Sequence, residues 1–130
     1  MNLAYRTKVT LLAQATTADS SSIAGEVDMN GWNGCMFVAA AGSTSSAAHT
    51  LTISTAASTT ASFVNLTGAT KATTSGNDQA VVDVSYPRKR WLKGTVTGTA
   101  SKRLLFSIQY GPRSLNASST YDTIVISPDT

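Results

Sequence analysis

The sequence is poor in the residues from which most catalytic and metal sites are built. Its 130 residues include one cysteine, one histidine and seven acidic residues, of which only Glu26 is a glutamate. A single cysteine excludes an intrachain disulfide, and one cysteine with one histidine cannot form a Cys/His zinc site. No motif pairs His49 with a nucleophile and an orienting acid. We therefore expect no enzyme activity, no bound metal and no cofactor.

Charge and long apolar runs are also scarce. Charged residues make up 13% of the chain, with a net charge of +3, and a nucleic-acid binder would usually carry a longer basic stripe. No run is long enough to cross a bilayer. The stretch up to Ala15 is too short, and too interrupted by Thr10 and Gln14, for a signal peptide. We expect a soluble protein made in a cytoplasm, without a membrane or nucleic-acid partner.

Short segments of alternating apolar and polar residues fill the chain instead, and this period of two is typical of strands. Nine segments are predicted as strands: Tyr5–Ala15, Ser22–Met29, Gly34–Ala41, His49–Thr55, Ser62–Leu66, Gln79–Ser85, Trp91–Thr97, Arg103–Tyr110 and Tyr121–Ser127. Their spacing and the lack of any helical period indicate an all-β protein. We predict a single antiparallel β-sandwich of about eight strands over residues 1–130, with a jelly roll as one possible strand order.

Several positions within these segments carry specific expectations. His49, Leu51 and Ile53 should point into the sandwich, and the only cysteine, Cys35, should be a small buried hydrophobe because it lies in an apolar run. The low-complexity stretch Gly68–Asp78 is predicted as an exposed loop or a sheet edge. A further set shares one side of its strand: Leu104, Phe106, Ile108 and Tyr110.

One charged cluster stands out as a candidate partner-binding site. It consists of Arg88, Lys89, Arg90, Trp91 and Lys93, directly after Tyr86-Pro87. Arginine and tryptophan are over-represented among interface hot spots, so an anchor on an acidic partner is one interpretation. Contact with phosphate and a solvated basic strand end at a corner are the other two, and the sequence leaves all three open.

Taken together, the motifs resemble those of a known family, the small decoration or cement proteins of tailed bacteriophages, encoded beside the major capsid protein. The resemblance rests on five segments: Asp28–Trp32, Cys35–Ala39, Val82–Val84, Tyr86–Leu92 and Ser127–Thr130. It implies a structural protein on the exterior of the virion capsid, synthesised in the host cytoplasm. It also implies binding to the major capsid protein and self-association as a dimer or trimer.

Two other functions remain open at this stage. The chain could be another virion component of the same build, such as a head-fibre base or a tail protein. It could also be a carbohydrate-binding sandwich that attaches to a host surface. The aromatic residues available for a sugar platform would be Tyr5, Trp32, Tyr86, Trp91, Tyr110 and Tyr121.

Overall fold

The computed structural model describes residues 6–15, 22–42, 48–73, 79–98 and 102–112. These ranges form eight strands: β1 (Thr7–Ala15), β2 (Ile23–Asp28), β3 (Trp32–Gly42), β4 (His49–Ala56), β5 (Val64–Ala72), β6 (Ala80–Ser85), β7 (Trp91–Gly98) and β8 (Lys102–Pro112). The predicted strand Tyr121–Ser127 lies outside the described residues. Elsewhere the predicted segments match observed strands, with boundaries that differ by a few residues.

The strands form two four-stranded antiparallel sheets. The first sheet has the order β1-β8-β3-β6 and the second has the order β2-β7-β4-β5. Strand β1 pairs with β8, β2 with β7, β3 with β6, and β4 with β5. This is the order produced when one long antiparallel hairpin is rolled up, which is the jelly roll. The prediction of an all-β antiparallel sandwich is confirmed, and its strand order is the jelly-roll one.

Strand β5 differs most from the sequence prediction. A strand was expected at Ser62–Leu66, whereas the observed strand runs from Val64 to Ala72 and forms an edge of the second sheet. Most of its residues are exposed and only Ala69 is buried. An edge strand with so little burial needs no regular apolar alternation, so its small polar residues gave no strand signal. The stretch Gly68–Asp78 was predicted as an exposed loop or a sheet edge. The sheet edge is correct as far as Ala72.

The core lies between the facing sheets. Its fully buried side chains include Cys35, Phe37, Leu51, Ile53, Leu92, Val96 and Leu105. Burial of this kind removes apolar surface from water and is the main favourable contribution to folding. It also raises the pKa of the Cys35 thiol to about 12, chiefly through desolvation. The prediction that Cys35 behaves as a small buried hydrophobe is confirmed.

His49 points inward as predicted and is almost fully buried. Its backbone N–H donates to the Thr73 hydroxyl at 3.1 Å, and the same hydroxyl lies 3.1 Å from the ring Nδ1. The Thr73 N–H in turn donates to the His49 carbonyl at 2.9 Å. The histidine thus ties the start of β4 to the end of β5, which is a packing role.

Strand β8 buries its polar side. Arg103, Ser107 and Gln109 are at most 3% exposed. The Gln109 side chain donates to the Asp28 carbonyl at 2.8 Å, and Arg103 donates to the Gly98 carbonyl at 3.1 Å. Backbone carbonyls of the second sheet therefore accept hydrogen bonds from the buried Gln109 and Arg103 side chains, as buried polar groups require. As a result, the apolar side of β8 faces outward.

Candidate interaction surfaces

The connection between β6 and β7 forms a sharp corner. Tyr86 begins it with a φ of 52°, in the left-handed region that bulky residues rarely adopt. Its N–H donates to the Asn33 carbonyl at 2.6 Å, which extends the β3–β6 pairing by one hydrogen bond. The Tyr86 side chain is 71% exposed. The backbone is therefore held in an unfavourable conformation that projects an aromatic ring into solvent.

Arg90 fixes the other end of the corner. Its guanidinium donates two hydrogen bonds of 2.8 Å to the two carboxylate oxygens of Asp28, at the end of β2. The Met29 N–H donates to the Arg90 carbonyl at 2.8 Å, so backbone and side chain hold the same two segments together. The bidentate pair is the main reason that the pKa of Asp28 lies below its ordinary value. Arg90 is thus engaged within the chain.

The other four residues of the predicted basic cluster lie in two places, the corner itself and the outer face of the second sheet. Arg88 and Lys89 are exposed at the corner, beside Pro87. Trp91 is half-buried on the outer face of the second sheet, with the Arg90 guanidinium carbon 5.6 Å from its ring centroid. Lys93 lies on that face too, and its ammonium is 5.4 Å from the ring centroid of Phe63.

Acidic residues compensate part of this cluster. In the β2–β7 pairing Glu26 lies opposite Lys93, and Asp28 lies opposite Trp91. The five predicted residues therefore do not form one continuous cationic patch. What the corner offers to a partner is the exposed Tyr86 ring, together with Arg88 and Lys89, which border a shallow pocket that also includes Met29 and Asn30.

A second surface covers the outer face of the first sheet. We call it the apolar outer face, and it is formed by outward residues of all four strands: Val9, Leu11, Met36, Val38, Val81, Leu104, Phe106 and Ile108. One row across the sheet consists of Leu11, Phe106, Val38 and Val81, which lie opposite one another in successive strands. The members on the edge strands are the most exposed, with Val9 at 48%, Leu11 at 56% and Val81 at 47%.

One end of the apolar outer face is covered by the Tyr110 ring and is polar at its rim. Tyr110 lies across Gly34, where an added Cβ would overlap the tyrosine ring. The Tyr110 hydroxyl donates to Asp83 at 2.6 Å and lies 3.0 Å from the Ser85 hydroxyl. Partial burial, together with the Asp83 carboxylate, raises the pKa of Tyr110.

The opposite end is depressed. The small residues Ala40, Ala41 and Gly42 of β3, with Leu104 beside them, line an open and largely apolar depression of about 330 Å³. Lys102 lies at its rim and is exposed. At the outward positions of the first sheet, Asp83 and Lys102 are the charged residues, one near each end.

This surface was not predicted from the sequence, although its signal was present. Leu104, Phe106 and Ile108 were predicted to share a side, but alternation alone does not say which side faces the core. The polar residues on the opposite side of β8 would ordinarily be assigned to solvent. Only the hydrogen bonds to the Asp28 and Gly98 carbonyls in the folded chain show that this polar side faces the core.

Other kinds of site receive no support from the described ranges. Among these residues no group of three or more His, Cys, Asp or Glu side chains could hold a metal ion. Within the same ranges no helix has the length and apolar character to cross a membrane. Of the aromatic residues described, Tyr86 is the one that is mostly exposed, since Trp32 is buried and Trp91 is half-buried.

Comparison with known proteins gives matches in structure alone. No protein-family model matches the sequence, and no curated protein matches it either. The PBSX exported protein XepA has a TM-score of 0.64 and 15% identity, and the match covers 97% of this chain but 44% of the XepA chain. The SPBc2 prophage-derived protein YomS has a TM-score of 0.57 and 10% identity over 81% of this chain and 93% of that chain.

A third structure, the CBM22-1–GH10 modules of the Clostridium thermocellum xylanase 10B, reaches a TM-score of only 0.46 at 16% identity, over 91% of this chain and 27% of that chain. That value is too low to support an inference. The two higher matches show a common fold at identities too low to show a common activity. This chain, which spans less than half the length of XepA, has the same sandwich fold as two phage-derived proteins.

Proposed function

We propose that this chain is a non-catalytic structural protein of a phage particle, and specifically a decoration protein on the outside of the head. In this role it would bind the major capsid protein and bridge neighbouring subunits. The resemblance of its motifs to decoration proteins supports this assignment, as does the fold that it shares with phage-derived proteins. Such a protein acts through the area that it covers on a neighbour, so its function depends on its surfaces.

The observation that carries the proposal is the rigid corner between β6 and β7. Two hydrogen-bonded connections, from Tyr86 to Asn33 and from Arg90 to Asp28, hold the loop in one conformation. A loop that is already ordered loses less conformational entropy when it binds. Tyrosine and arginine are hot-spot residue types, and here Tyr86 and Arg88 project from a fixed frame. Backbone strain at an exposed aromatic residue is typical of a functional position.

Binding of this kind would reinforce a head by mass action. A ligand that binds the assembled shell but not its dissociated subunits shifts the equilibrium toward the shell. At a free concentration of about 100 times its Kd, the shift is roughly 2.7 kcal/mol per site. A stiff sandwich repeated over a symmetric lattice would multiply this effect, while the chain itself needs no catalytic group.

The experiment is co-sedimentation of the purified protein with expanded empty heads of the phage that encodes it, followed by thermal melting of the heads. The wild-type protein should bind and raise the melting temperature of the heads. The double charge reversal Arg88→Glu/Lys89→Glu should weaken binding at least about tenfold, because both cations are exposed at the corner. Neither residue has an observed structural partner, so the variant should keep the melting temperature of the isolated protein.

The matched control is Arg6→Glu/Lys71→Glu, which changes the net charge by the same amount at two exposed positions outside the β6–β7 connection. It should bind heads like the wild type. Equal loss of binding in both double variants would mean that overall charge matters rather than the corner. If the protein ignores heads but retards nucleic acid in a gel at physiological salt, phosphate contact is the better interpretation of Arg88 and Lys89. Binding to a glycan array without binding to heads would favour the carbohydrate-binding alternative.

A further inference from the structure

The apolar outer face is the largest feature that the proposed corner interaction leaves unused. Two adjacent rows across it contain Val9, Ile108, Met36 and Asp83, then Leu11, Phe106, Val38 and Val81. Seven of these eight side chains are apolar, and the one charge lies on the edge strand β6. Contiguous exposed apolar surface of this extent marks an interaction site in a soluble protein.

We infer that this face binds a second copy of the chain, in a two-fold symmetric dimer with the two first sheets stacked face to face. Four strands about 4.8 Å apart and about 30 Å long give a face of roughly 600 Å² before side-chain relief is counted. Stable interfaces bury about 800 Å² of accessible surface per partner. The lower end of that size class is about 600 Å² per partner, so the face just reaches the size of a specific dimer, and its composition matches the apolar interfaces of homodimers.

The shape of the face is complementary to itself. Counted along β8 from Phe106, Tyr110 lies four residues to one side and Lys102 four residues to the other. A two-fold axis perpendicular to the strands at Phe106 therefore places the Tyr110 end of one copy over the depressed end of the other. The Tyr110 ring, held across Gly34 of its own copy, would pack over the depression beside Ala40 and Gly42 of the second copy. A two-fold interface requires this kind of reciprocal fit, and it forms twice per dimer.

The charges are complementary under the same symmetry. The axis brings Lys102 of the second copy over the Tyr110–Asp83 hydrogen bond of the first. Two opposite-charge contacts would then flank an apolar centre, with one at each end. Binding to a capsid partner does not depend on a match between the acidic and basic ends of this chain, whereas a two-fold dimer does. These observations therefore favour a second copy as the occupant.

The first test is sedimentation velocity of the isolated full-length protein, with no heads present. The wild type should be dimeric at about 50 µM, a concentration that detects micromolar affinity. Leu11→Glu/Val81→Glu should weaken the dimer at least a hundredfold, because it places four charges in a desolvated interface. Both residues are about half exposed. Val64→Glu is the matched control on the second sheet, where Val64 is 59% exposed, and it should remain dimeric.

A charge exchange tests the proposed symmetry. Asp83→Lys and Lys102→Asp should each weaken the dimer about tenfold, and the double variant, which restores the opposite charges but not the Tyr110–Asp83 hydrogen bond, should bind at least about threefold more tightly than Asp83→Lys. Circular dichroism should give the same thermal transition for Lys102→Asp as for the wild type.

Three results would overturn the dimer: a monomeric wild type at about 500 µM, equal weakening by Val64→Glu, or no recovery in the exchanged double variant. If the wild type is monomeric and Leu11→Glu abolishes head binding, the capsid covers this face instead. That outcome rejects the dimer while leaving the head-binding proposal intact.

Discussion

Neighbouring residues of the corner between β6 and β7 have different roles. Arg90 is directed back toward Asp28 and fixes the loop, whereas Arg88 and Lys89 extend into solvent. An exposed ion pair contributes little to stability on average, but a bidentate pair that connects two loops also restricts their relative motion. The value of this pair therefore lies in positioning the corner as well as in stability.

The Asp28–Arg90 pair gives a prediction about pH. Because the pKa of Asp28 is lowered in the folded protein from its ordinary value of 3.8, the pair stabilises the fold above that pH. Its contribution is lost as the pH falls through the lowered pKa. Arg90→Gln should reduce the melting temperature at pH 7 by about 2–5 °C. Melting followed by circular dichroism from pH 7 to pH 2 should show this difference disappear at the acidic end.

Arg88→Gln is the control for this experiment, since it removes a neighbouring cation that has no carboxylate partner among the ion pairs observed. It should melt like the wild type at every pH. A difference between Arg90→Gln and the wild type that persists undiminished at pH 2 would contradict a role through the Asp28 carboxylate.

The sequence predicted the location of the corner but not the separate roles of its residues. Its basic cluster was recognised because Arg88 to Arg90 are consecutive, yet proximity along the chain does not determine direction. Asp28 is 62 residues away from Arg90, and nothing local indicates their pairing. Trp91 and Lys93 belong to a strand, where alternation places both on one outer face beside Asp28 and Glu26.

At the scale of elements, alternation predicted the strands well and their orientation less well. In β4 one side is apolar and the other carries threonine, so Leu51 and Ile53 were correctly assigned to the core. In β8 the more polar side faces the core, and the inward residues include Arg103 and Gln109. Their burial depends on carbonyls at Gly98 and Asp28, which become neighbours only when the two sheets close.

Strand β3 provides a prediction about packing on the outer face. In Gly34→Ala the new methyl group would overlap the Tyr110 ring, so the ring must shift, and we expect its hydrogen bond to Asp83 to be weakened or lost. We expect the variant to lose about 1–3 kcal/mol of stability, as is usual when a packed site receives an additional group. Urea denaturation measures this directly.

Gly42→Ala is a matched change on the same strand and the same face. Its nearest neighbour would be the Lys102 Cβ at 3.9 Å, which is ordinary van der Waals contact. We expect a change within about 0.5 kcal/mol of the wild type. Similar losses for both variants would mean that glycine is needed for the backbone of β3 rather than for the position of Tyr110.

At the scale of the whole molecule, the jelly roll brings two different surfaces together. Strand β6 carries Val81 and Asp83 on the apolar outer face and then continues through Ser85 into Tyr86 at the corner. One surface is apolar with charges only near its ends, and the other is cationic and rigid. The total charge and composition of the chain predicted neither, because both surfaces are produced by the order in which the strands are arranged.

These two surfaces should respond differently to salt, which is the last prediction. Screening shortens the Debye length from about 10 Å at 0.1 M salt to about 3 Å at 1 M, so attraction between the corner and an acidic capsid surface should weaken. Burial of apolar side chains is not screened, and strongly hydrated salts reinforce it. Between about 50 mM and 500 mM sodium chloride we therefore expect head binding to fall at least about tenfold. The self-association constant should change by less than about threefold over the same range.

Co-sedimentation with heads and sedimentation velocity of the free protein can be run in the same buffers, so the two salt profiles are directly comparable. Parallel profiles would mean that one surface serves both interactions, and the division of roles between corner and sheet would then be wrong. Divergent profiles require two physically distinct contacts on one sandwich. In the proposed arrangement each copy binds one capsid subunit through its corner. The dimer contact through the apolar outer face then connects the two bound subunits.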